Sequence, residues 1–422
     1  MTPRDDASPP DATLPLPSPL APWLSIIGLG EDGIDGLSPT ARHLISDADI
    51  VFGGERHLKL AQPLIKGKSH PWPRPIEDAY PVIVKYRGRP VVVLASGDPF
   101  NFGIGKQLAA IVPTAEMICL PQPSAFSLAA GRMGWALQDV TTVSLHGRAL
   151  EGIIRHLHNG ARILALSWDG TTPEKLSLLL RARGMEASRV TVLERMGGAH
   201  ERMTTASAMQ GFAAHSFDGL NTIALEVAGN GAAPWPTLAA GRDDALFEND
   251  GQLTKREVRA VTLSSLAPRE GELLWDIGVG AGSIAIEWLL TGRNMRAIGI
   301  ETDDARALTA ARNAAAFGVL ELQIINGSAP AALTGLEAPD AVFIGGGLGD
   351  GVLDPAWQAL KPGGRMVVNA VTLEGETALF AALQRHGGEL TRIDVSRASK
   401  LGNLTAWRTA IPVTQWRAVK PC

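Results

Sequence analysis

The chain has 422 residues, of which 45% are apolar and 19% are charged, and its net charge is −4. This composition is typical of a soluble globular protein with room for two or three domains. The basic residues form no run, so a nucleic-acid partner is not predicted. No stretch reaches the roughly 20 apolar residues of a membrane span, so no membrane association is expected either.

The cysteines and histidines indicate in which cellular compartment the protein works and whether it binds a metal. The two cysteines, Cys119 and Cys422, argue against a disulfide framework and favour a reducing, cytoplasmic setting. The nine histidines include no pair with the H-E-x-x-H spacing, and His156 and His158 would diverge on a helix. We therefore expect no metal site.

Residues 1–22 are predicted to form a disordered tail. Prolines at positions 15, 17, 19 and 22 interrupt the apolar residues, and the segment carries three aspartates. A secretory signal peptide would need a basic start and an unbroken apolar stretch, so this interpretation is excluded.

The first predicted strand, Trp23–Ile27, runs into a G-x-G-x-x-G sequence at Gly28–Gly33. In a dinucleotide-binding fold the third glycine starts the helix. Here the helix signal comes later, with Ser38 as N-cap and Pro39 at the first helical position. In addition, no acid closes the following strand, Ile50–Phe52, so the pattern does not favour dinucleotide binding.

A second glycine loop follows the β-branched strand Arg89–Ala95, which Ser96–Pro99 ends abruptly. If this strand and the first are parallel neighbours, their loops lie together at the carboxyl edge of a sheet, where open α/β sheets bind ligands. Ser124 then predicts the N-cap of a helix. A second α/β lobe is predicted from six further segments, namely Val140–Leu145, Gly147–His158, Arg162–Trp168, Pro173–Arg183, Val190–Glu194 and Thr222–Val227.

The segment Gly229–Pro236 has the composition of a linker. Beyond it, Leu253–Arg259 predicts the start of a helix. Thr254 is a plausible N-cap, and Glu257, three residues later, is its capping-box partner.

The chain is organised around Leu273–Glu287, an apolar strand that ends in Asp276 and continues into Gly278, Gly280 and Gly282. Such a strand, glycine loop and helix start can bind a nucleotide-like ligand at free backbone N–H groups. The third glycine comes one residue too early for the dinucleotide fingerprint. Glu301, about 20 residues beyond the loop, would bind ribose hydroxyls, and Asn326–Ala329 would border an adenine pocket.

Strands and helices alternate after Leu273. The strands are predicted at 273–277, 296–300, 322–326, 340–344, 365–369, 391–395 and 404–411. The glycines of Gly345–Gly347 either make room for a substrate or merely turn the chain.

These motifs resemble two methyltransferase classes. The class III tetrapyrrole methylases have motifs similar to four segments of this chain, namely Ile27–Gly30, Ala95–Pro99, Gly103–Gly105 and Gln122–Phe126. A class I S-adenosylmethionine (SAM) methyltransferase of corrin synthesis has motifs that resemble Leu253–Ala260 and Asp276–Glu287. Together they resemble the bifunctional precorrin-6Y C5,15-methyltransferases (decarboxylating) of cobalamin biosynthesis. In the first loop, Glu31 stands where proline is frequent.

The resemblance implies an α/β fold with a two-lobed tetrapyrrole methylase domain at 23–228, its lobes at about 23–120 and 121–228. A linker at 229–241 and a Rossmann-like, seven-stranded class I domain at 242–422 would follow. It implies C-methylation of precorrin-6B at C5 by the N-terminal half and at C15 by the C-terminal half. The latter would also decarboxylate the ring C acetate, giving precorrin-8X.

The resemblance implies one SAM per domain. Because a protonated imine of the macrocycle can accept the electrons of decarboxylation, we expect no pyridoxal phosphate and no obligatory catalytic lysine. The implied SAM contacts in the C-terminal half are Thr254, Gly278, Val279, Gly280, Ala281, Gly282, Glu301 and Ala329. Those in the N-terminal half are Gly28, Leu29, Gly30, Gly97, Asp98 and Ser124. The sequence does not indicate catalytic residues, since an activated methyl group mainly requires positioning.

Lys255, Arg256 and Arg259 are candidates to bind carboxylates of the tetrapyrrole, although each could equally belong to a solvated helix face. A homo-oligomer is also expected. Three alternatives stay open, namely a two-domain methyltransferase for another tetrapyrrole or small molecule, a SAM-binding regulatory protein, and a dehydrogenase.

Overall fold

The computed structural model describes residues 22–230, 233–348 and 351–422. The predicted tail therefore lies outside the described residues except for Pro22. The chain divides near residue 231 into two compact units, and Gly147–Asn159 groups with the second. Among the described helices, none has both the length and the apolar character that crossing a membrane requires.

The first sheet of the first unit is wholly parallel, with strand order β3-β2-β4-β1-β5. Its strands are β1 (Leu24–Leu29), β2 (Ile50–Gly53), β3 (Lys68–Pro71), β4 (Val91–Ser96) and β5 (Met117–Leu120), and its helices are α1 (Pro39–Asp47), α2 (Glu55–Ala61), α3 (Tyr80–Lys85) and α4 (Gly105–Ala109). The unbroken apolar run of β4 is buried, as is typical of a central parallel strand. Because β1 and β4 are neighbours, their glycine loops share one edge, as predicted.

The second sheet of this unit has the order β6-β7-β10-β8-β9 and is antiparallel except between β6 and β7. Its elements are β6 (Thr141–Ser144), β7 (Arg162–Leu166), β8 (Arg189–Glu194), β9 (Arg202–Ser207), β10 (Asn221–Glu226), α5 (Ala125–Met133) and α6 (Thr172–Ala182). The short polar strand β9 was not predicted. The predicted helix at Gly147–His158 is a 3-10 helix, Leu150–His156.

The second unit contains a seven-stranded sheet of order β13-β12-β11-β14-β15-β19-β16, in which β19 is antiparallel to both neighbours. The strands are β11 (Leu273–Ile277), β12 (Arg296–Glu301), β13 (Leu322–Asn326), β14 (Ala341–Ile344), β15 (Arg365–Ala370), β16 (Glu389–Ile393) and β19 (Val413–Val419). The helices are α7 (Arg256–Leu266), α8 (Ser283–Leu289), α9 (Asp304–Phe317), α10 (Leu353–Ala359) and α11 (Leu373–His386). The predicted seven-stranded sheet is therefore confirmed.

The prediction of the last strand at 404–411 is wrong. Its residues lie in β18 (Leu404–Thr409), which pairs with β17 (Ser396–Leu401) in a separate hairpin. Gly402, with a φ of 60°, permits the two-residue turn of this hairpin. Pro412 separates the hairpin from β19, the true last strand of the main sheet.

The capping box predicted at Thr254 is also wrong. Helix α7 starts at Arg256 with Lys255 as N-cap and without a side-chain cap hydrogen bond. The carboxylate of Glu257 instead pairs with Arg397 on the hairpin. By contrast, Ser38 and Ser124 cap α1 and α5 as predicted, each accepting a hydrogen bond from a backbone N–H.

Candidate functional site

The main site lies at the carboxyl edge of the seven-stranded sheet. A cavity of ≈ 890 Å³ opens there among the ends of β11, β12, β14 and β15 and the loop before α7. Of the predicted SAM contacts, seven line it, namely Thr254, Gly278, Val279, Gly280, Ala281, Glu301 and Ala329. The structure therefore brings together residues that are up to 75 positions apart, from Thr254 to Ala329.

Backbone conformation explains why the loop after β11 needs glycine. Gly278, Gly280 and Gly282 have φ values of 74°, 54° and 80°, in the left-handed region. A Cβ on Gly278 would lie 3.0 Å from the backbone nitrogen of Gly346. A Cβ on Gly280 would approach no atom closer than 3.9 Å, so this glycine leaves space towards the cavity.

Gly282 does not line the cavity. It is the N-cap of α8, and a Cβ there would lie 3.2 Å from the Cβ of Ala310. Its role is thus the close packing of the loop against α9, and the structure does not support a ligand contact.

The carboxylate of Glu301 anchors this loop. Its Oε2 accepts a hydrogen bond from the Gly280 N–H at 2.9 Å. Its Oε1 accepts from the N–H groups of Thr302 at 3.0 Å and Asp303 at 3.1 Å. Glu301 is the last residue of β12, and its side chain borders the cavity. Its carboxylate can therefore orient the loop and also accept hydrogen bonds from hydroxyl groups of a ligand.

Asp276 is a buried acid behind the loop. Its Oδ2 accepts a hydrogen bond from the Ala285 N–H at 3.0 Å. Burial, assisted by repulsion from Glu301 and opposed by this hydrogen bond, raises the pKa of Asp276 to about 7. The acid therefore titrates near neutral pH.

The structure places the three predicted carboxylate-binding cations in different environments. Lys255 lines the cavity, whereas Arg256 is exposed and does not. The prediction for Arg259 is wrong, because its side chain is 0% exposed and its Nε donates to Glu287 at 2.7 Å. Glu287 also accepts from the N–H groups of Gly241 and Arg242, so this buried pair fixes the chain that leads to the cavity.

Sequence reasoning missed several polar residues of the cavity, namely Gln252, Thr302, Arg306, Asn369 and Arg397. Asn369 follows a buried apolar run in β15, and this is the same signal that identified Glu301 at the end of β12. Arg397 lies on the hairpin whose strands were misassigned. Gly346 and Gly347, whose role was left open, also line the cavity, and a Cβ on either would meet no atom within 4 Å.

In the first unit the structure packs three predicted site residues together. A Cβ on Gly28 would collide with the carbonyl of Gly97, and a Cβ on Gly97 would lie 3.1 Å from the Cα of Ser124. Asp98 accepts a hydrogen bond from the Phe100 N–H at 2.9 Å. The side chain of Leu29 is buried in the core, so only its backbone is available at the edge.

Gly30 begins the loop that carries Glu31, around which a polar cluster gathers at this edge. The Glu31 carboxylate pairs with both Arg56 and Arg195. His57 Nε2 lies 2.9 Å from Ser96 Oγ, and burial together with the charge of Arg56 lowers the pKa of His57 to about 4. Only Glu31 and Ser96 belong to motifs recognised in the sequence, since Arg56, His57 and Arg195 come from segments without one.

Comparisons with known proteins give a family match for each part of the chain. Residues 24–210 match the tetrapyrrole (corrin/porphyrin) methylases, and residues 245–420 match the precorrin methyltransferase domain. A precorrin-6Y C(5,15)-methyltransferase (decarboxylating) of Sinorhizobium sp is 55% identical over 96% of this chain and 98% of that protein.

Two shorter relatives each cover less than half of the chain. A protein of Saccharolobus solfataricus, named "Probable cobalt-precorrin-6B C(15)-methyltransferase (decarboxylating)", is 34% identical over 44% of this chain and 99% of its own length. A cobalt-precorrin-7 C(5)-methyltransferase of Salmonella typhimurium is 29% identical over 43% of this chain and 88% of its own length.

Proposed function

Since the chain belongs to the family of precorrin-6Y C(5,15)-methyltransferases (decarboxylating), we propose that it methylates precorrin-6B at C5 and C15 and removes the ring C acetate carboxyl group. The product would be precorrin-8X, in cobalamin biosynthesis. The observation that carries this proposal is the cavity formed by the glycine loop and Glu301, joined on one chain to a tetrapyrrole methylase unit.

The residues of the second-unit cavity fit SAM. Glycines leave room at Gly280, Gly346 and Gly347, and Glu301 presents a carboxylate beside the loop. When bound, SAM supplies an activated methyl group on a sulfonium. The protein's part is to hold the acceptor carbon in line with that group, which contributes on the order of 7–11 kcal/mol.

We assign the two reactions to the two parts of the chain, taking residues 23–228 and 242–422 as domains joined by a linker at 229–241. The first would methylate C5, and the second would methylate C15 and decarboxylate. Two relatives with single activities, each matching less than half of the chain, support such a division.

Each domain would hold its own SAM, the first near Gly28, Gly97, Asp98 and Ser124. The contacts of Gly28 with Gly97 support this site, because the close approach of the two loops leaves backbone groups at one sheet edge. We also propose that the protein is cytoplasmic.

Self-association is proposed through a second copy of the chain at the β17–β18 hairpin. Leu401, Leu404 and Trp407 are 68%, 73% and 77% exposed there. Leu401 and Leu404 are opposite each other in the register and share one face of the hairpin, whereas Trp407 lies on the other face. Exposed apolar side chains of this size mark interaction surfaces.

Product analysis tests the function. The full chain, incubated with precorrin-6B and methyl-labelled SAM, should give a product with two added methyl groups and one carboxyl group fewer. Mass spectrometry and carbon-13 NMR identify the positions. Methylation of a different tetrapyrrole, with precorrin-6B left unchanged, would favour the alternative substrate.

A further inference from the structure

Asn369 occupies a distinctive place in the second-unit cavity. It lies near the end of β15, at the same sheet edge as Glu301 on β12. The strand order β12-β11-β14-β15 puts the glycine loop of β11 between them. Asn369 is therefore on the side of the cavity away from the proposed ribose-binding carboxylate, where a methyl acceptor has room.

A buried polar network fixes the Asn369 amide. Its Nδ2 donates to Thr262 Oγ1 at 3.0 Å, and its Oδ1 accepts from Gln415 Nε2 at 2.8 Å. Gln415 Nε2 also donates to Thr262 Oγ1 at 3.1 Å, and its Oε1 accepts from Ser265 at 2.6 Å. Thr262 and Gln415 are 0% and 2% exposed, so the network is shielded from water. Satisfied networks of this kind rigidify the groups they contain.

The network leaves part of the amide for a ligand. An asparagine amide has two N–H donors and two acceptor positions. One of each is engaged by Thr262 and Gln415, while the side chain remains partly exposed and borders the cavity. A fixed, neutral N–H donor is thus available to a bound molecule.

The surroundings match a carboxylate that is to leave. The cavity is lined in part by apolar side chains, among them Ile393, Val395 and Val413, and the cations Lys255, Arg306 and Arg397 also border it. A cation stabilises a carboxylate in the ground state and so opposes its loss, since only interactions stronger in the transition state accelerate a reaction. A neutral donor orients the group with less of this penalty.

We propose that Asn369 hydrogen-bonds the acetate carboxylate that is lost as CO₂, and that Thr262 and Gln415 position its amide. The proposal rests on the proposed function of this cavity. In the step, the bond between the methylene and carboxylate carbons breaks and CO₂ leaves. The electron pair moves into the conjugated macrocycle, and a proton from water completes the new methyl group.

The test measures CO₂ release and C15 methylation separately in the full chain, using precorrin-6B and methyl-labelled SAM. Asn369→Leu removes the donor at similar volume, so the rate of CO₂ release per C15 methyl transferred should fall roughly 10- to 100-fold. Thr262→Val, which frees the amide, should lower the same ratio. Gln384→Leu removes an exposed amide on α11 that lies outside both the network and the cavity, so it should leave the ratio unchanged.

Calorimetric titration with SAM verifies that each variant keeps its cofactor site. If Asn369→Leu does not fold, Asn369→Asp takes its place. It should also lower the rate of CO₂ release per C15 methyl transferred, because its charge repels a carboxylate. An unchanged ratio in the folded variant overturns the proposal, as does an equal fall of both rates. Failure of the unmodified chain to methylate precorrin-6B would instead contradict the proposed function.

Discussion

At the scale of single residues, Glu301 combines two tasks that the sequence presents as one. Its position at the end of β12 indicated a ribose-binding acid. The structure shows that both carboxylate oxygens also accept backbone N–H groups, including that of Gly280. Removing the carboxylate therefore affects the shape of the loop as well as any direct contact with a ligand.

We expect Glu301→Ala to weaken SAM binding at the second-unit site by roughly 10- to 150-fold, the value of one charge-assisted hydrogen bond. Glu301→Gln, which keeps one acceptor oxygen for the Gly280 N–H, should lose less. Calorimetric titration of both variants measures the difference. Affinity equal to that of the unmodified chain in Glu301→Ala would remove this residue from the site.

Asp276 gives a prediction about pH. Its pKa rises from 3.8 to about 7 in the folded chain, so between about pH 4 and 7 the folded state holds a proton that the unfolded state has released. Stability contributed by this group is therefore present below pH 4 and is lost as pH rises to 7. Asp276→Asn, which keeps an acceptor for the Ala285 N–H, should remove this loss, on the order of a few kcal/mol.

Urea unfolding of the second unit, followed at several pH values from 4 to 8, measures this effect. The unmodified chain should lose stability relative to Asp276→Asn as pH rises. A difference between the two that does not vary with pH would show that Asp276 is not protonated in the folded state.

At the scale of elements, the sequence predicted the strands and loops whose formation depends on neighbouring residues alone. The alternation of apolar strands with glycine loops located β11, β12 and β14 closely, because a buried parallel strand must be apolar throughout. Glu301 and Ala329 could be assigned to the cavity for the same reason, since parallel strands end at one edge.

The features that the sequence did not predict depend on contacts between residues that are distant in the chain. The burial of Arg259 follows from its pairing with Glu287, 28 residues away, and no local pattern reveals that partner. The β17–β18 hairpin has the same residue types as a sheet strand, and only Gly402 and Pro412 mark it as separate. Asn369 gains its significance from Gln415 and Thr262, which are distant in sequence.

The hairpin also provides a prediction about assembly. Trp407→Ser removes the largest of its exposed apolar side chains and should weaken self-association about tenfold or more, because interface aromatics often dominate binding. Trp168→Ser is the matched control, since Trp168 is a 53% exposed tryptophan in the first unit. Sedimentation velocity compares the variants. Identical behaviour of Trp407→Ser and the unmodified chain would exclude the hairpin as the interface.

At the scale of the whole molecule, the chain joins two glycine-loop sites of different construction. The first-unit loops pack on each other through Gly28 and Gly97, whereas the second-unit loop is held by Glu301. Since the two loops share no residues, a substitution in one should leave the other intact. Separate sites imply that each methylation can be removed by itself.

Gly280→Val should remove C15 methylation, because a β-branched side chain at a φ of 54° strains the loop and extends into the cavity. Asp98→Ala should remove C5 methylation, because it deletes the carboxylate that orders the Ser96–Phe100 turn.

Each variant alone, with precorrin-6B and excess labelled SAM, should give an incomplete product. A mixture of the two should restore both methyl groups, whichever methylation comes first, since each protein supplies the site that the other lacks. Circular dichroism confirms that both variants are folded. Delivery of both methyl groups by Gly280→Val alone would contradict the assignment of C15 to the second unit, and by Asp98→Ala alone that of C5 to the first.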